Sequence, residues 1–280
     1  MEEEIEEGRG GGGNSPSGSP TAALHCCTSP AVVKITQKII AEIMGTYFVI
    51  FAGCGSVAVN KIYGSVSFPG ICITWGLIVM VMIYSVGHIS GAHFNPAVTI
   101  TFAIFQRFPL IEVIPYILAQ LLGSILASGT LCLVLDVEQE DFFGTNPVGS
   151  NLRAVIIEFI ITFLLMFVIS GVATDNRAIG ELAGIAIGST ILLNVLVAGP
   201  VTGASMNPAR TIGPALIMHN YKGLWVYIVG PTAGAIAGAA VYNLIRFTNK
   251  PLRELTKSGS FVKSISGSSS FVKNSIRNPR

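Results

Sequence analysis

Apolar residues along the chain are gathered into six long runs, separated by shorter and more polar connections. The runs cover residues 39–59, 69–88, 112–135, 154–173, 179–198 and 224–245. Each is close to the ~20 residues that an α-helix needs to cross the ~30 Å hydrocarbon core of a bilayer. The pattern therefore predicts an all-α membrane protein with six transmembrane helices.

Two connections, residues 90–100 and 202–211, are too apolar for solvated loops and too short for full spans. Their sequences, SGAHFNPAVTI and TGASMNPART, share Ser/Thr-Gly-Ala, then two residues, then Asn-Pro-Ala. Glu42 and Glu158 precede them at similar distances. We therefore expect two repeats, 39–135 and 154–245, each with three spans and one re-entrant half-helix. An odd number of spans inverts the second repeat, as in transport proteins whose site lies near the bilayer midplane.

Each Asn-Pro-Ala predicts the start of a short helix, because Asn is a favoured N-cap and Pro is favoured at the first helical position. The six residues are Asn95, Pro96, Ala97, Asn207, Pro208 and Ala209. Two half-helices of about ten residues, or ~15 Å, would meet N-terminus to N-terminus at the centre. Each would bring about half a positive charge, and neither segment contains a carboxylate. We expect cations to be repelled there and neutral molecules with oxygen acceptors to bind the asparagine amides.

Arg210 is the ionisable residue of the second re-entrant segment, three residues after Asn207 and on the same helix face. A charge within the membrane is a functional hypothesis by default, and pairing with a buried carboxylate is the structural alternative. The equivalent position in the first segment is Val98.

Counting residues along the spans places three further side chains at the outer depth of Arg210. Trp75, Val195 and Ala204 could form one ring with it. For Trp75, the aromatic belt at the membrane interface is an alternative explanation.

The composition supports a membrane protein, with 51% hydrophobic and 11% charged residues. Ordinary soluble domains contain about 25% charged residues, so a soluble globular protein is excluded. The basic residues between Ile39 and Ile245 number six and form no cluster. This distribution excludes a nucleic-acid groove.

The two tails differ in charge. Five glutamates lie in the first seven positions, and eight basic residues lie from Arg246 to Arg280. An even number of spans and basic flanks place both termini in the cytoplasm, with the loop 136–152 outside. We expect residues 1–38 to be a disordered cytoplasmic tail and 246–280 to be a basic cytoplasmic tail.

Neither a cofactor nor a metal site is indicated. The five cysteines do not form a disulfide framework, and His25-Cys26-Cys27 lacks a second pair of ligands. No nucleophile–base pair is evident, so an enzyme is not expected.

The motifs SGAHFNPAVT (90–99), TGASMNPAR (202–210) and AEIMGT (41–46) resemble those of the major intrinsic protein family, the aquaporins and aquaglyceroporins. Within it, the chain is similar to the plant nodulin 26-like proteins, over roughly residues 35–250. The resemblance implies an aquaporin-like fold, a pore in each protomer and a homotetramer embedded in membrane lipid. It also implies a passive channel for water and small neutral solutes, with Asn95 and Asn207 as the central donors.

The resemblance further assigns site residues. Trp75, Val195, Ala204 and Arg210 match the four selectivity-filter positions of the family. Water-specific members carry His where Val195 stands, so the wider ring implies glycerol. The subgroup adds lactic acid, ammonia, hydrogen peroxide and metalloid acids such as arsenous acid.

Three more residues match structural positions of the family. Glu42 and Glu158 match buried carboxylates that hold the re-entrant loops. His93 matches a loop histidine near the cytoplasmic half of the pore.

In the C-terminal tail, Ser260 and Ser266 resemble sites of a calcium-dependent protein kinase, although a basic tail can carry serines without a role. We expect the plasma membrane as the location. Two other functions stay open at this point: a proton-coupled transporter that uses Glu42 and Glu158, and a membrane scaffold or adhesion protein with a closed pore.

Overall fold

The computed structural model describes residues 29–246. Most of the two predicted tails, 1–38 and 246–280, lies outside this range, including Ser260, Ser266 and His25-Cys26-Cys27. Within it, the secondary structure is helical, with no strand. The α-helices are α1 (Pro30–Tyr63), α2 (Ser67–Ser90), α3 (Pro96–Ile104), α4 (Leu110–Leu135), α5 (Asn151–Thr174), α6 (Ala183–Thr202), α7 (Pro208–Ile217) and α8 (Val226–Ile245).

Six of these helices are long and apolar enough to span a membrane, namely α1, α2, α4, α5, α6 and α8. The two short helices, α3 and α7, begin at the two Asn-Pro-Ala motifs. The predicted fold class of six spans and two half-helices is confirmed.

The spanning helices turn apolar side chains outward and small or polar ones inward. On α4, Leu118, Leu122 and Leu126 are about half exposed, at a spacing of four residues. The buried side of the same helix carries Gln120 and Ser124, with small residues between them. Such an apolar surface fits a lipid environment. Because lipid tails offer no hydrogen bonds, the polar side chains must find their partners in the protein interior.

Small residues bring the helices of each repeat into close contact. A Cβ added at Gly234 of α8 would lie 2.3 Å from the carbonyl oxygen of Phe159 on α5. In repeat one, a Cβ at Gly123 of α4 would lie 2.5 Å from the carbonyl oxygen of Ile43 on α1. Small residues at these contacts therefore allow helices to approach closely in both repeats.

Most helix boundaries lie within four residues of the predicted limits, and two of the differences have a physical cause. Helix α1 begins at Pro30, so residues 30–38, predicted as part of a disordered tail, are helical. The hydropathy limit marks the edge of the hydrocarbon, and a helix can continue beyond it. The fifth span was predicted to end at residue 198, but α6 continues through Pro200 to Thr202. Inside a membrane protein the backbone gains more from staying helical than it loses at one proline, because no water is present to replace its hydrogen bonds.

Candidate functional site

The two half-helices are capped as the sequence predicts. The side chain of Asn95 accepts a hydrogen bond from the Ala97 backbone N–H at 2.9 Å. The side chain of Asn207 accepts from the Ala209 N–H at 2.9 Å and from the Arg210 N–H at 3.4 Å. Both asparagines are extended, and a proline follows each at the first helical position. These contacts satisfy donors that the first turn of a helix leaves free.

The two caps are also bonded to each other's loops. Asn95 Nδ2 donates to the carbonyl oxygen of Met206 at 2.8 Å. Asn207 Nδ2 donates to the carbonyl oxygen of Phe94, also at 2.8 Å. Because each carbonyl belongs to the residue just before the opposite asparagine, the two half-helices meet with their N-termini together.

The loops that lead to the asparagines share an unusual backbone. Left-handed φ angles occur at Gly91, Ala92 and Phe94 in the first loop. The second loop repeats them at the equivalent positions, which are Gly203, Ala204 and Met206. For residues other than glycine this conformation costs about 1–2 kcal/mol each, so the surrounding structure must hold it.

Glu42 and Glu158 hold these loops. Glu42 accepts hydrogen bonds from the backbone N–H groups of His93 and Phe94, at 3.0 and 2.8 Å. The Ser90 hydroxyl and the Gln120 amide also donate to it, at 2.7 and 2.8 Å.

The arrangement around Glu158 repeats most of these contacts. Glu158 accepts from the N–H groups of Ser205 and Met206, both at 2.9 Å, and from the Thr202 hydroxyl at 2.6 Å. Both glutamates are fully buried. Each carboxylate thus offsets the desolvation of several donors in a loop with few other partners.

This geometry corrects one electrostatic expectation. The re-entrant segments contain no carboxylate, but Glu42 and Glu158 reach backbone groups next to Asn95 and Asn207. An ionised carboxylate there would bring a full negative charge, which exceeds the ~0.5 charge of one helix N-terminus. The half-helices alone therefore do not determine the sign of the potential at the centre.

Trp75 and Arg210 lie together. The guanidinium carbon of Arg210 lies 5.0 Å from the centroid of the Trp75 ring, within the range of a cation–π interaction. Arg210 is 3% exposed, and its Nε and Nη1 have no hydrogen-bond partner among the described residues. Gly53 makes room for the tryptophan, since a Cβ there would lie 2.5 Å from the ring.

The other two predicted filter residues, Val195 and Ala204, are buried in the same apolar cluster as Trp75. In repeat one, Val98 at the position of Arg210 also belongs to this cluster. The described part of the chain thus places a charged group at one of the two equivalent positions.

His93 lies in an aromatic enclosure. Its ring centroid is 5.0 Å from Phe102, 4.8 Å from Phe108 and 5.2 Å from Tyr116. Its Nδ1 is 3.1 Å from the Thr99 hydroxyl. These contacts fix the orientation of the His93 ring within the first re-entrant loop.

A polar network joins the ends of α5 and α8. Asp175, which is buried, accepts hydrogen bonds from Arg177 at 2.7 and 3.0 Å and from the Tyr242 hydroxyl at 3.0 Å. Arg246 lies 3.4 Å from the same carboxylate. The hydrogen bonds from Arg177, more than any other contact, hold the pKa of Asp175 well below its usual range, and burial opposes them.

Sequence reasoning missed several residues that complete the site. Gln120 was not singled out, and Tyr116 and Tyr227 were not recognised as a pair. Each tyrosine hydroxyl donates at 2.8 Å to the carbonyl oxygen of the last residue before a re-entrant loop, Ser90 or Thr202. Aligning the two repeats would have revealed the tyrosine pair, because Tyr116 and Tyr227 occupy equivalent positions on α4 and α8.

Within residues 29–246, no group of three or more His, Cys, Asp or Glu side chains is placed to hold a metal ion.

Comparisons with known proteins show the family of the chain. The family model described as major intrinsic protein matches residues 30–242. The chain therefore belongs to the major intrinsic protein family, whose members are aquaporin-type membrane channels and not enzymes.

Its relatives place it among the nodulin 26-like members. The chain is 68% identical to a probable aquaporin NIP-type of Nicotiana alata over 264 residues, which cover 94% of this chain and 97% of the relative. It is 63% identical over 232 residues to Nodulin-26 of Glycine max, covering 82% and 86% of the two chains. The aquaglyceroporin from Plasmodium falciparum matches in structure with a TM-score of 0.68 and 26% identity, covering 75% of this chain and 96% of that one.

Proposed function

We propose that the chain forms a passive pore for water and small uncharged solutes, and that the pore excludes protons and ions. The crossed pair of asparagines is the observation that carries this proposal. An asparagine amide has two N–H donors. Asn95 and Asn207 each use one of them on the opposite loop. The second N–H of each amide then serves the oxygen atoms of a passing molecule.

The ring of Trp75, Val195, Ala204 and Arg210 acts as the selectivity filter. The tryptophan face and the two small aliphatic side chains accept the carbon backbone of a polyol, and the free guanidinium donors of Arg210 bind its hydroxyls. Pore diameter and lining donors are the general determinants of such selectivity. Glycerol-type polyols are therefore the first proposed solutes of the pore. The resemblance to the nodulin 26-like subgroup adds lactic acid, ammonia, hydrogen peroxide and metalloid acids such as arsenous acid.

Desolvation and Arg210 supply the barrier to cations. A cation in the narrow pore loses its water shell, and no exposed carboxylate compensates, because Glu42 and Glu158 are 0% exposed. Their oxygens are also occupied by donors from the re-entrant loops. The same burial favours the channel over a proton-coupled transporter, in which these carboxylates would have to meet the solvent in turn.

Assembly, location and regulation follow the resemblance. We propose a homotetramer in the plasma membrane with both termini in the cytoplasm, which the basic flank after α8 supports. A calcium-dependent protein kinase would act on Ser260 and Ser266, in the part of the chain that the structure does not describe.

Stopped-flow light scattering on reconstituted vesicles tests the pore. The vesicles are challenged in turn with sucrose, glycerol and arsenous acid, and flux through the protein should exceed that of empty vesicles for water and glycerol. Val195→Trp should abolish this flux, because residue 195 is 3% exposed and the larger side chain would fill the proposed filter. Val197→Trp on the same helix should leave the flux unchanged, because residue 197 is 69% exposed and points away from the interior.

Two results would overturn the proposal. Vesicles that stay silent to every solute would favour the closed scaffold. Solute flux that accelerates with an imposed proton gradient, followed with an internal pH dye, would favour the transporter.

A further inference from the structure

The two half-helices carry equivalent threonines in their first turn, Thr99 and Thr211. The Thr99 hydroxyl lies 3.1 Å from His93 Nδ1 in the re-entrant loop and accepts from Gln120 Nε2 at 3.0 Å. The Thr211 hydroxyl lies 2.7 Å from the Ser205 hydroxyl in its own loop. Each threonine thus links a half-helix to the loop that leads into it.

The third partner differs between the repeats. In repeat one it is Gln120 on α4. Counting from the equivalent tyrosines Tyr116 and Tyr227, the counterpart of Gln120 on α8 is Pro231, whose side chain cannot form a hydrogen bond. The third partner in repeat two is instead Thr145, whose hydroxyl lies 2.8 Å from that of Thr211. It comes from the connection between α4 and α5.

This connection is packed into the protein. Thr145 is 3% exposed and Phe143 is fully buried. The Val148 N–H donates to the Val201 carbonyl at 2.9 Å, and Lys61 Nζ donates to the Phe142 carbonyl at 3.0 Å. The loop is therefore anchored on both sides of Thr145.

The hydrogen bonds continue from Thr145 to the centre of the site. Thr145 contacts Thr211, Thr211 contacts Ser205, and the Ser205 hydroxyl donates to the carbonyl oxygen of Asn207 at 2.8 Å. Arg210 lies between Ser205 and Thr211 in the chain. A change at Thr145 therefore acts on the segment that carries the guanidinium.

We propose that Thr145 is a positioning residue for the selectivity filter, and that the α4–α5 loop thereby takes part in selecting the solute. Thr145 replaces in repeat two the contact that Gln120 makes in repeat one, and it holds the backbone from Ala204 to Arg210 in place. This inference rests on the proposed pore function, because the filter has meaning only if solutes pass.

The test compares Thr145→Val, Thr145→Ser and Thr190→Val, all in the full chain reconstituted in lipid. Valine keeps the shape of threonine and removes the hydroxyl, and serine restores it. Thr190 is the matched control, since its hydroxyl bonds to the Ala186 carbonyl of its own helix. Two properties are measured: hydrogen–deuterium exchange of residues 204–213, and the permeability ratio of erythritol to glycerol.

Thr145→Val should speed exchange in 204–213 and raise the erythritol-to-glycerol ratio by about two- to tenfold, the factor that the net contribution of one hydrogen bond corresponds to. Thr145→Ser and Thr190→Val should match the wild type. Unchanged exchange in Thr145→Val, or faster exchange with an unchanged or lower ratio, overturns the inference. A wild type that passes no solute refutes the pore, while the exchange measurement still decides whether Thr145 holds the segment.

Discussion

Replacing Glu158 by glutamine tests whether this side chain holds the second re-entrant loop. Three donors reach its two oxygens: the Thr202 hydroxyl and the Ser205 N–H meet Oε1, and the Met206 N–H meets Oε2. Glutamine offers one acceptor oxygen. With that oxygen in the Oε1 position, its NH₂ group faces the Met206 N–H, and two donors then point at each other.

The cost can be worked from this geometry. Loss of the charge weakens the two remaining hydrogen bonds by about 1 kcal/mol each, and relief from burying a charge offsets that weakening. The unpaired Met206 N–H is left, and a buried unsatisfied donor costs about 1–3 kcal/mol. For a protein of this size, that loss lowers the melting temperature by roughly 5 °C.

The melting temperature of purified protein in detergent, followed by loss of the monodisperse peak, measures the effect. Glu112→Gln is the matched control, because Glu112 pairs with Lys38 at 2.6 Å while both side chains are about one-fifth exposed. Partly solvated pairs contribute little, so this variant should melt within about 2 °C of the wild type.

Glu42→Gln should cost at least as much as Glu158→Gln. With its oxygen in the Oε1 position, the new NH₂ group would face the Phe94 N–H and Gln120 Nε2, which both donate to Oε2 of Glu42. Turning the Gln120 amide would let its Oε1, which has no partner among the described residues, accept from the new amide, but the Phe94 N–H would stay unpaired. If Glu158→Gln melted together with the Glu112→Gln control, the assignment of Glu158 as the support of the second loop would be wrong.

Three further changes have distinct outcomes. Val195→His should raise the water-to-glycerol permeability ratio by about tenfold in stopped-flow assays, and an equal rise for Val197→His would show that the effect is not local to the pore. Arg210→Ala should let ammonium or protons cross, measured with an internal pH dye; retained exclusion would remove Arg210 from the barrier. Gly234→Leu should prevent the close contact of α5 and α8 and yield aggregated protein, whereas normal gel filtration would contradict the packing argument.

The last prediction concerns acid. The pKa of Asp175 is depressed, so its stabilisation is complete above its unfolded value of about 4 and is lost as the pH falls through the folded value. The melting temperature of the wild type should therefore fall more between pH 5 and pH 3 than that of Asp175→Asn. Parallel falls would mean that Asp175 contributes nothing to the pH dependence.

The spans and the two caps could be predicted because they depend on local features. A run of apolar residues of the right length suffices for a span, and Asn followed by Pro specifies a helix start at Asn95 and Asn207. The end of α6 could not be predicted, because the local rule for Pro200 gives a break and burial in the membrane overrides it.

Contacts between segments that are distant in the chain also could not be predicted from the sequence. The bond from Asn95 to the Met206 carbonyl joins residues 111 positions apart, and no local pattern specifies it. Thr145 lies in a connection with acidic residues, and that composition suggested a loop facing water. Its burial depends on contacts with distant segments, such as that with the Thr211 hydroxyl, which no local pattern specifies.

The crossed asparagines make each repeat incomplete without the other. Repeat one by itself would leave the Asn95 amide and the Phe94 carbonyl unpaired in the middle of a bilayer. Each unpaired polar group there costs several kcal/mol. An ancestral chain with one repeat could have built this centre only by dimerising with a second copy inserted upside down. Joining the two repeats in one chain makes this pairing intramolecular, and the two halves can then carry different residues at equivalent positions, as they do at Val98 and Arg210.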